Sequence, residues 1–280
     1  MINRREILAG LGASALTTAS MPAWGRAGID LNNRRDFLQS VVKMRGSTDE
    51  RLCIGWVAGT RYAVVEHRAI PMMNLLAATF SQYRQKPGGD YEARSIEIAY
   101  FLDLVSGKLL ETWRNPVTDR VVDVPQVRMG PSAFDISADG LQIRRAAGEA
   151  VGMSLNHRFE SPYQRGDDVW ITEVIDVNGK PRKDSRPFVY NEMSTYHARL
   201  SDLANPALAT VPANISFHGL VTFRSWMGFA DTPGHTTAHG SGTRASRMAE
   251  LPAYHQELTK ALHPDVYANP LEILSETEDS

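Results

Sequence analysis

The chain has 280 residues, 42% of them hydrophobic, with 30 basic and 32 acidic side chains and a formal charge of -2. That near balance gives no electrostatic reason to bind nucleic acid or an anionic membrane surface, and no run is apolar enough to span a bilayer, so a small molecule is the expected partner. The single cysteine, Cys53, rules out an internal disulfide and leaves stability to a core that a chain of this length can build in one domain.

In chain order, Arg4-Arg5 is followed by an uncharged stretch from Ile7 to Ser20 and by small residues up to Ala23 and Ala27. This reads as a twin-arginine export signal over 1–27, with a periplasmic destination and the export machinery as a partner. An amphipathic N-terminal helix is the competing reading, and the missing charged side chains argue against it. Gly10-Leu11-Gly12-Ala13-Ser14-Ala15 loosely fits a dinucleotide-binding pattern but lacks a preceding strand and a suitably placed acid, so no cofactor is expected.

Residues 28–270 are expected to form one β-barrel-like domain, with 271–280 as an acidic flexible tail. Phe37, Leu38, Val41 and Val42 recur at helical spacing within 34–45, and Gly46 is a stop. From Cys53 the chain changes to short apolar runs, 53–58 and 61–66, with Gly59-Thr60 as a hairpin turn. Alternation of Ile96, Ile98, Tyr100 and Leu102 predicts a strand, and turns at 105–107 and 114–119 predict a three-stranded meander over 95–124. A hairpin is expected at 169–177, closed by Asn178-Gly179, with further strands at 215–226 and 235–239 and helices at 190–203 and 253–262. Strands at such short intervals with few helices predict an all-β-dominated fold, an antiparallel lipocalin-like β-barrel with helices at its ends or across one mouth.

The run Glu111-Thr112-Trp113-Arg114-Asn115-Pro116-Val117-Thr118, preceded by Asp103 and followed by Ser225-Trp226-Met227-Gly228, resembles a bacterial family catalogued as domain of unknown function 1838. The likeness covers roughly 52–270 and rests on a Trp-x-Asn-Pro-x-Thr element and a later Trp-Met-Gly block. Where the family pattern has an aromatic-proline pair before Trp-Met, this chain has Phe223-Arg224-Ser225. The resemblance implies, for some relatives, action on lignin-derived aromatic compounds with loss of a hydroxymethyl group as formaldehyde. It adds Trp113 and Asn115 as substrate-binding candidates.

Two clusters of polar side chains could carry chemistry. Glu192 and Tyr196, four apart on the expected helix, share a face with His197 beside them, so a carboxylate could orient a phenol or take its proton. In the second cluster, His218, Arg224 and Trp226 lie on one face of the 215–226 segment with Ser216, Leu220 and Thr222. If that face points inward it is a ligand wall. If it points outward it is a wet surface, and the more apolar Phe217, Gly219, Val221 and Phe223 line the interior instead. His235 and His239 would lie ~13 Å apart on an extended strand, too far to share a metal ion, so no metal site is expected and both remain substrate-binding candidates. Cys53, in an apolar run, fits a small core residue better than a nucleophile.

Two functions follow. The first is a cofactor-independent enzyme, lyase- or isomerase-like, with Tyr196 or His218 as base, Glu192 orienting it and Arg224 steadying an anion on a small aromatic or apolar substrate. The second is a non-catalytic periplasmic binder of hydrophobic small molecules.

Overall fold

The computed structural model describes residues 28–145, 153–180 and 187–276; the expected export signal of 1–27 lies outside the described residues. The elements run α1 (Arg34–Arg45), β1 (Cys53–Val65), β2 (Arg68–Gln85), β3 (Tyr91–Leu102), β4 (Thr112–Arg114), β5 (Val121–Asp123), β6 (Val127–Ser137) and β7 (Gly140–Arg145). They continue with β8 (Met153–Phe159), β9 (Tyr163–Arg165), β10 (Asp168–Gly179), β11 (Phe188–Arg199), α2 (Leu200–Leu203), β12 (Asn214–Thr222), β13 (His235–Ala245), α3 (Ala253–Leu262), α4 (Pro264–Ala268) and α5 (Pro270–Ser275).

Ten strands pair antiparallel in the order β7-β6-β3-β2-β1-β13-β12-β11-β10-β8, with β9 added on β10 and β4–β5 forming a separate ribbon. The two ends of this path nearly meet. The Leu141 backbone N–H donates to His157 Nδ1 across them at 2.9 Å, and Gly140, at φ +140°, leaves no room for a Cβ, which would sit 2.3 Å from the His157 carbonyl oxygen. The result is the nearly closed antiparallel barrel that the strand spacing predicts, with few helices.

Helix α1 seals one mouth. The Asn33 side chain caps it by accepting from the backbone N–H groups of Arg35 and Asp36. Phe37, Val41 and Met44 then pack on Val169, Ile171, Ala198 and Leu203, while Leu38 and Val42 meet Tyr83, Tyr91 and Ile136. The helix stops at Gly46, where a Cβ would fall 2.1 Å from the Tyr83 ring. Cys53 is 1% exposed and burial pushes its thiol pKa up, as suits a core residue.

The three C-terminal helices cover the barrel from outside. On β3, Ile96, Ile98, Tyr100 and Leu102 point away from the barrel interior and are buried by Leu258, Val266 and Leu274. Each such aliphatic side chain contributes about 1.5–3 kcal/mol. Part of the expected acidic tail of 271–280 is helical instead: α5 reaches Ser275 with Leu274 fully buried, and 277–280 lie outside the described residues. Within this cover His255 is fully buried, its ring T-shaped against Tyr100 at 5.2 Å, and burial drives its pKa from 6.5 down to about 4. The unfolded chain takes up that proton near pH 6.5, so stability is lost as pH falls from 6.5 towards 4, about 3 kcal/mol in full. Unfolding measured at pH 7 and pH 4 is expected to show a smaller difference in His255→Gln than in the parent.

Several local expectations are corrected. Residues 190–203 are not a helix but most of β11 plus the single turn α2; ladders with β10 and β12 on either side claim the backbone, and the four-residue spacing of Glu192 and Tyr196 fits a period of two as well. Strand β1 runs through Gly59-Thr60 without turning. Gly59 instead admits the neighbouring strand, since a Cβ there would lie 2.0 Å from the His239 carbonyl oxygen, and the turn comes at Glu66 and His67, both at positive φ. The 95–124 meander does not form: its first strand belongs to β3, which pairs with β2 and β6 in the barrel, and the following residues form only a Leu102–Leu109 bridge and the separate β4–β5 ribbon. Asn178 and Gly179 still pair with Val189 and Phe188, so they do not close the hairpin, and 181–186 lie outside the described residues. The 215–226 strand stops at Thr222 and is followed by a single 3-10 turn, Ser225–Met227.

Candidate active site

The barrel encloses a cavity of about 860 Å³, within the range of small-molecule sites. Alternate residues of each strand face it, so β11 presents Tyr196, Ser194, Glu192, Tyr190 and Phe188 in order from the sealed end to the open mouth.

At the sealed end, Glu173 is 2% exposed and holds three partners: His157 Nε2 at 2.6 Å, Arg45 at 3.2 Å and the Tyr196 hydroxyl at 3.3 Å. Because His157 Nδ1 accepts the Leu141 N–H, its proton must lie on Nε2, which donates to Glu173. Burial alone would push the Glu173 pKa up, but Arg45 and the hydrogen bonds from His157 and Tyr196 outweigh it and hold the carboxyl below its ordinary value. This end is an ionic lock that ties α1, through Arg45, to the barrel wall, with Arg45 Nη1 held by the ion pair and not by a hydrogen bond.

The middle of the cavity is different. Glu97, on β3, faces the cavity with no hydrogen-bond partner among the described residues, and burial followed by the charge of Glu192 raises its pKa to about 7, against the opposing pull of Arg61. Glu192 is itself raised by burial, although it accepts from the Tyr190 hydroxyl and, at 2.8 Å, from Ser194. Tyr190 lies well above its ordinary pKa through burial and these two carboxyls, so its hydroxyl keeps its proton. Arg61 reaches in from β1; burial lowers its pKa to about 10, and it remains charged at neutral pH.

The mouth is aromatic. Phe101 lies 5.7 Å from Trp226, ring to ring, and the Arg224 guanidinium stacks 4.3 Å over Phe188. The motif that carries the family resemblance builds this rim. Asn115 donates to the Met227 carbonyl at 2.8 Å while its own oxygen accepts from the N–H groups of Val117 and Thr118, and the Thr118 hydroxyl donates to Gly228 at 3.0 Å.

Of the residues singled out from sequence, Glu192, Tyr196, Arg224 and Trp226 line the cavity. His218, His235 and His239 do not. On β12 the inward side chains are Ile215, Phe217, Gly219 and Val221, so the polar ladder is the outer face, where His218 pairs across strands with His239. His235 and His239 alternate with inward Ala238 and face out with His218. His197 also faces out, stacked 4.7 Å from Trp170 and bonded to Asp168. Trp113 and Asn115 are wall supports rather than lining: Trp113 is 7% exposed and donates to the Met72 carbonyl, and Asn115 is fully buried. Sequence reasoning missed Glu97, Arg61, Tyr190, Glu173 and His157. A lone charged residue inside an uncharged run, as Glu97 is among Ile96, Ile98 and Ala99, was the available signal for the first of them.

Among the described residues no helix is long and apolar enough to cross a membrane. The family model described as "Protein of unknown function (DUF1838)" matches residues 49–280. No curated protein and no solved structure matches the chain.

Proposed function

The chain belongs to the DUF1838 family, and on that footing we propose that it is an exported, cofactor-independent enzyme of lyase or isomerase type that moves protons on a small aromatic or largely apolar substrate held in the barrel. The observation that carries this reading is Glu97: a carboxyl poised at about 7, unbonded, facing an enclosed cavity lined by aromatic side chains. A group tuned to neutrality in a cleft is what general acid–base chemistry requires, and structural ion pairs rarely leave a carboxyl without a partner. Export and a periplasmic location rest on Arg4-Arg5 and the uncharged stretch behind them.

The base is reassigned accordingly. Tyr196 is driven above its ordinary pKa, by burial first, and its hydroxyl already donates to Glu173, so it is a poor proton acceptor; His218 lies outside the barrel. Glu97 takes the substrate proton, the Tyr190–Glu192 pair offers a donor beside it, and Arg61 balances the oxyanion that develops. In a formaldehyde-releasing form, a substrate bound as its phenolate first expels a benzylic oxygen substituent, which leaves with a proton from the Tyr190–Glu192 pair, to give a quinone methide. Glu97 then removes the proton of the neighbouring hydroxymethyl group, whose C–O bond becomes the C=O of formaldehyde. The electron pair of the broken C–C bond forms the new alkene and restores the phenolate.

Incubation with lignin-type dimers that carry a hydroxymethyl group, with formaldehyde and stilbene as readouts, tests this. Glu97→Gln is expected to lower turnover by about 10²–10⁴-fold while ligand affinity changes little. Unchanged turnover in that variant would remove Glu97 from the chemistry. A calyx sealed at one end and apolar in most of its lining also suits a carrier, and tight binding without product in the parent would favour that second reading.

A further inference from the structure

We infer that the outer half of the cavity is an anion site, built to hold an aromatic carboxylate with its ring among Phe101, Phe217 and Trp226 and its charge between the guanidinium groups of Arg61 and Arg224. The inference rests on reading the cavity as the substrate site and adds the class of molecule that enters it.

Arg61 is the central observation. Its side chain is half-buried in the barrel wall, its only hydrogen bond among the described residues is from one terminal nitrogen to the Thr236 hydroxyl at 3.1 Å, and its buried Nε–H has no partner. Thr236 spends its own proton on the Val221 carbonyl, so it can only accept from Arg61. A charged group with a buried, unmade hydrogen bond is destabilising and uncommon, and a recurrent reason for it is a ligand that completes the set.

The surroundings match a planar acid. Both guanidinium groups rest their faces on rings, Arg61 at 5.6 Å from Phe101 and Arg224 at 4.3 Å from Phe188, which leaves their N–H edges free for the two-pronged contact a carboxylate makes. Neither has an acidic side chain within ion-pair distance among the described residues. The two cations repel each other, since Arg224 helps to depress Arg61, and a bound anion would relieve that repulsion. The carboxyls that share the space do not supply the missing charge: Glu192 is engaged by Tyr190 and Ser194, and Glu97 is part-protonated at neutral pH.

Titration calorimetry at pH 7.5 with naphthalene-2-carboxylate and naphthalene-2-carboxamide, equal in shape and different in charge, tests the assignment. The parent protein is expected to bind the carboxylate at least tenfold more tightly. Arg61→Met and Arg224→Met are each expected to lose at least tenfold on the carboxylate and to keep the carboxamide within about twofold, which is the 1.4 kcal/mol per decade expected of a lost charge contact. Arg224 sits at the exposed rim, so its variant reports even where replacement of Arg61 disturbs folding. Equal affinity for the two probes, insensitivity of both variants, or no binding of either probe at millimolar concentration would overturn the site. Glu97→Gln keeps the carboxylate preference under this inference, so a failed turnover experiment and a failed anion site give different results.

Discussion

Glu97→Gln is expected to be more stable than the parent by about 3 kcal/mol at pH 8, with the difference shrinking to under about 1 kcal/mol at pH 5. The folded chain holds the Glu97 proton up to about pH 7, where the unfolded chain has lost it near 4.5. Between those values the native state binds more protons than the unfolded state, so stability falls as pH rises, and above pH 7 the full cost of a buried, unpartnered carboxylate is present. The neutral amide removes it. Denaturant unfolding of both proteins at the two pH values measures the effect. An equal difference at pH 5 and pH 8, or a less stable variant at pH 8, would mean that Glu97 is an ordinary ionised carboxylate and unsuited to the role proposed for it. A gain in stability coupled to a loss of turnover is the pattern expected where a site is held at the expense of the fold.

The second large effect is at the sealed end. Arg45→Met is expected to destabilise the protein by about 3–5 kcal/mol at pH 7, because it leaves the 2%-exposed Glu173 charged and without its cation. Replacing Glu173 by Gln in the same chain is expected to recover more than half of that loss, since the penalty belongs to the stranded charge more than to the missing contact. Denaturant midpoints of the two singles and the double complete the cycle. A loss below about 1 kcal/mol in the single variant would show that His157 and Tyr196 suffice to hold Glu173 and that α1 is kept in place by its apolar face alone.

The contrast between these two carboxylates could not be read from the chain in one dimension. Both are acids flanked by uncharged residues within a strand, Glu97 between Ile96 and Ile98 and Glu173 between Thr172 and Val174. One is locked by three partners from α1, β8 and β11, the other by none, and those partners lie from 16 to 128 residues away in sequence. The pairing of Glu192 with Tyr196 on one face survives the change from helix to strand because a separation of four is even as well as close to a helical turn. Its chemical role does not survive: Tyr196 belongs to the lock, and Glu192 to Tyr190, two positions away, which a helical reading places on the opposite side.

Local features can be read from the chain without its fold. Alternation in β3, the capped and amphipathic α1, the amphipathic α3 and the turn chemistry around Asn115 are legible because each depends on neighbours a few residues away. An antiparallel β-rich domain follows from their spacing. Which side of each strand is the inside is set by the packing of the folded chain. In β3 the apolar set points outward beneath α3 to α5 while Glu97 faces the cavity, and in β12 the apolar set points inward while His218 faces solvent. Alternation marks two faces but does not say which is in, because an outer helical layer can bury one as well as a barrel interior can, and the choice is made by long-range packing of the whole chain.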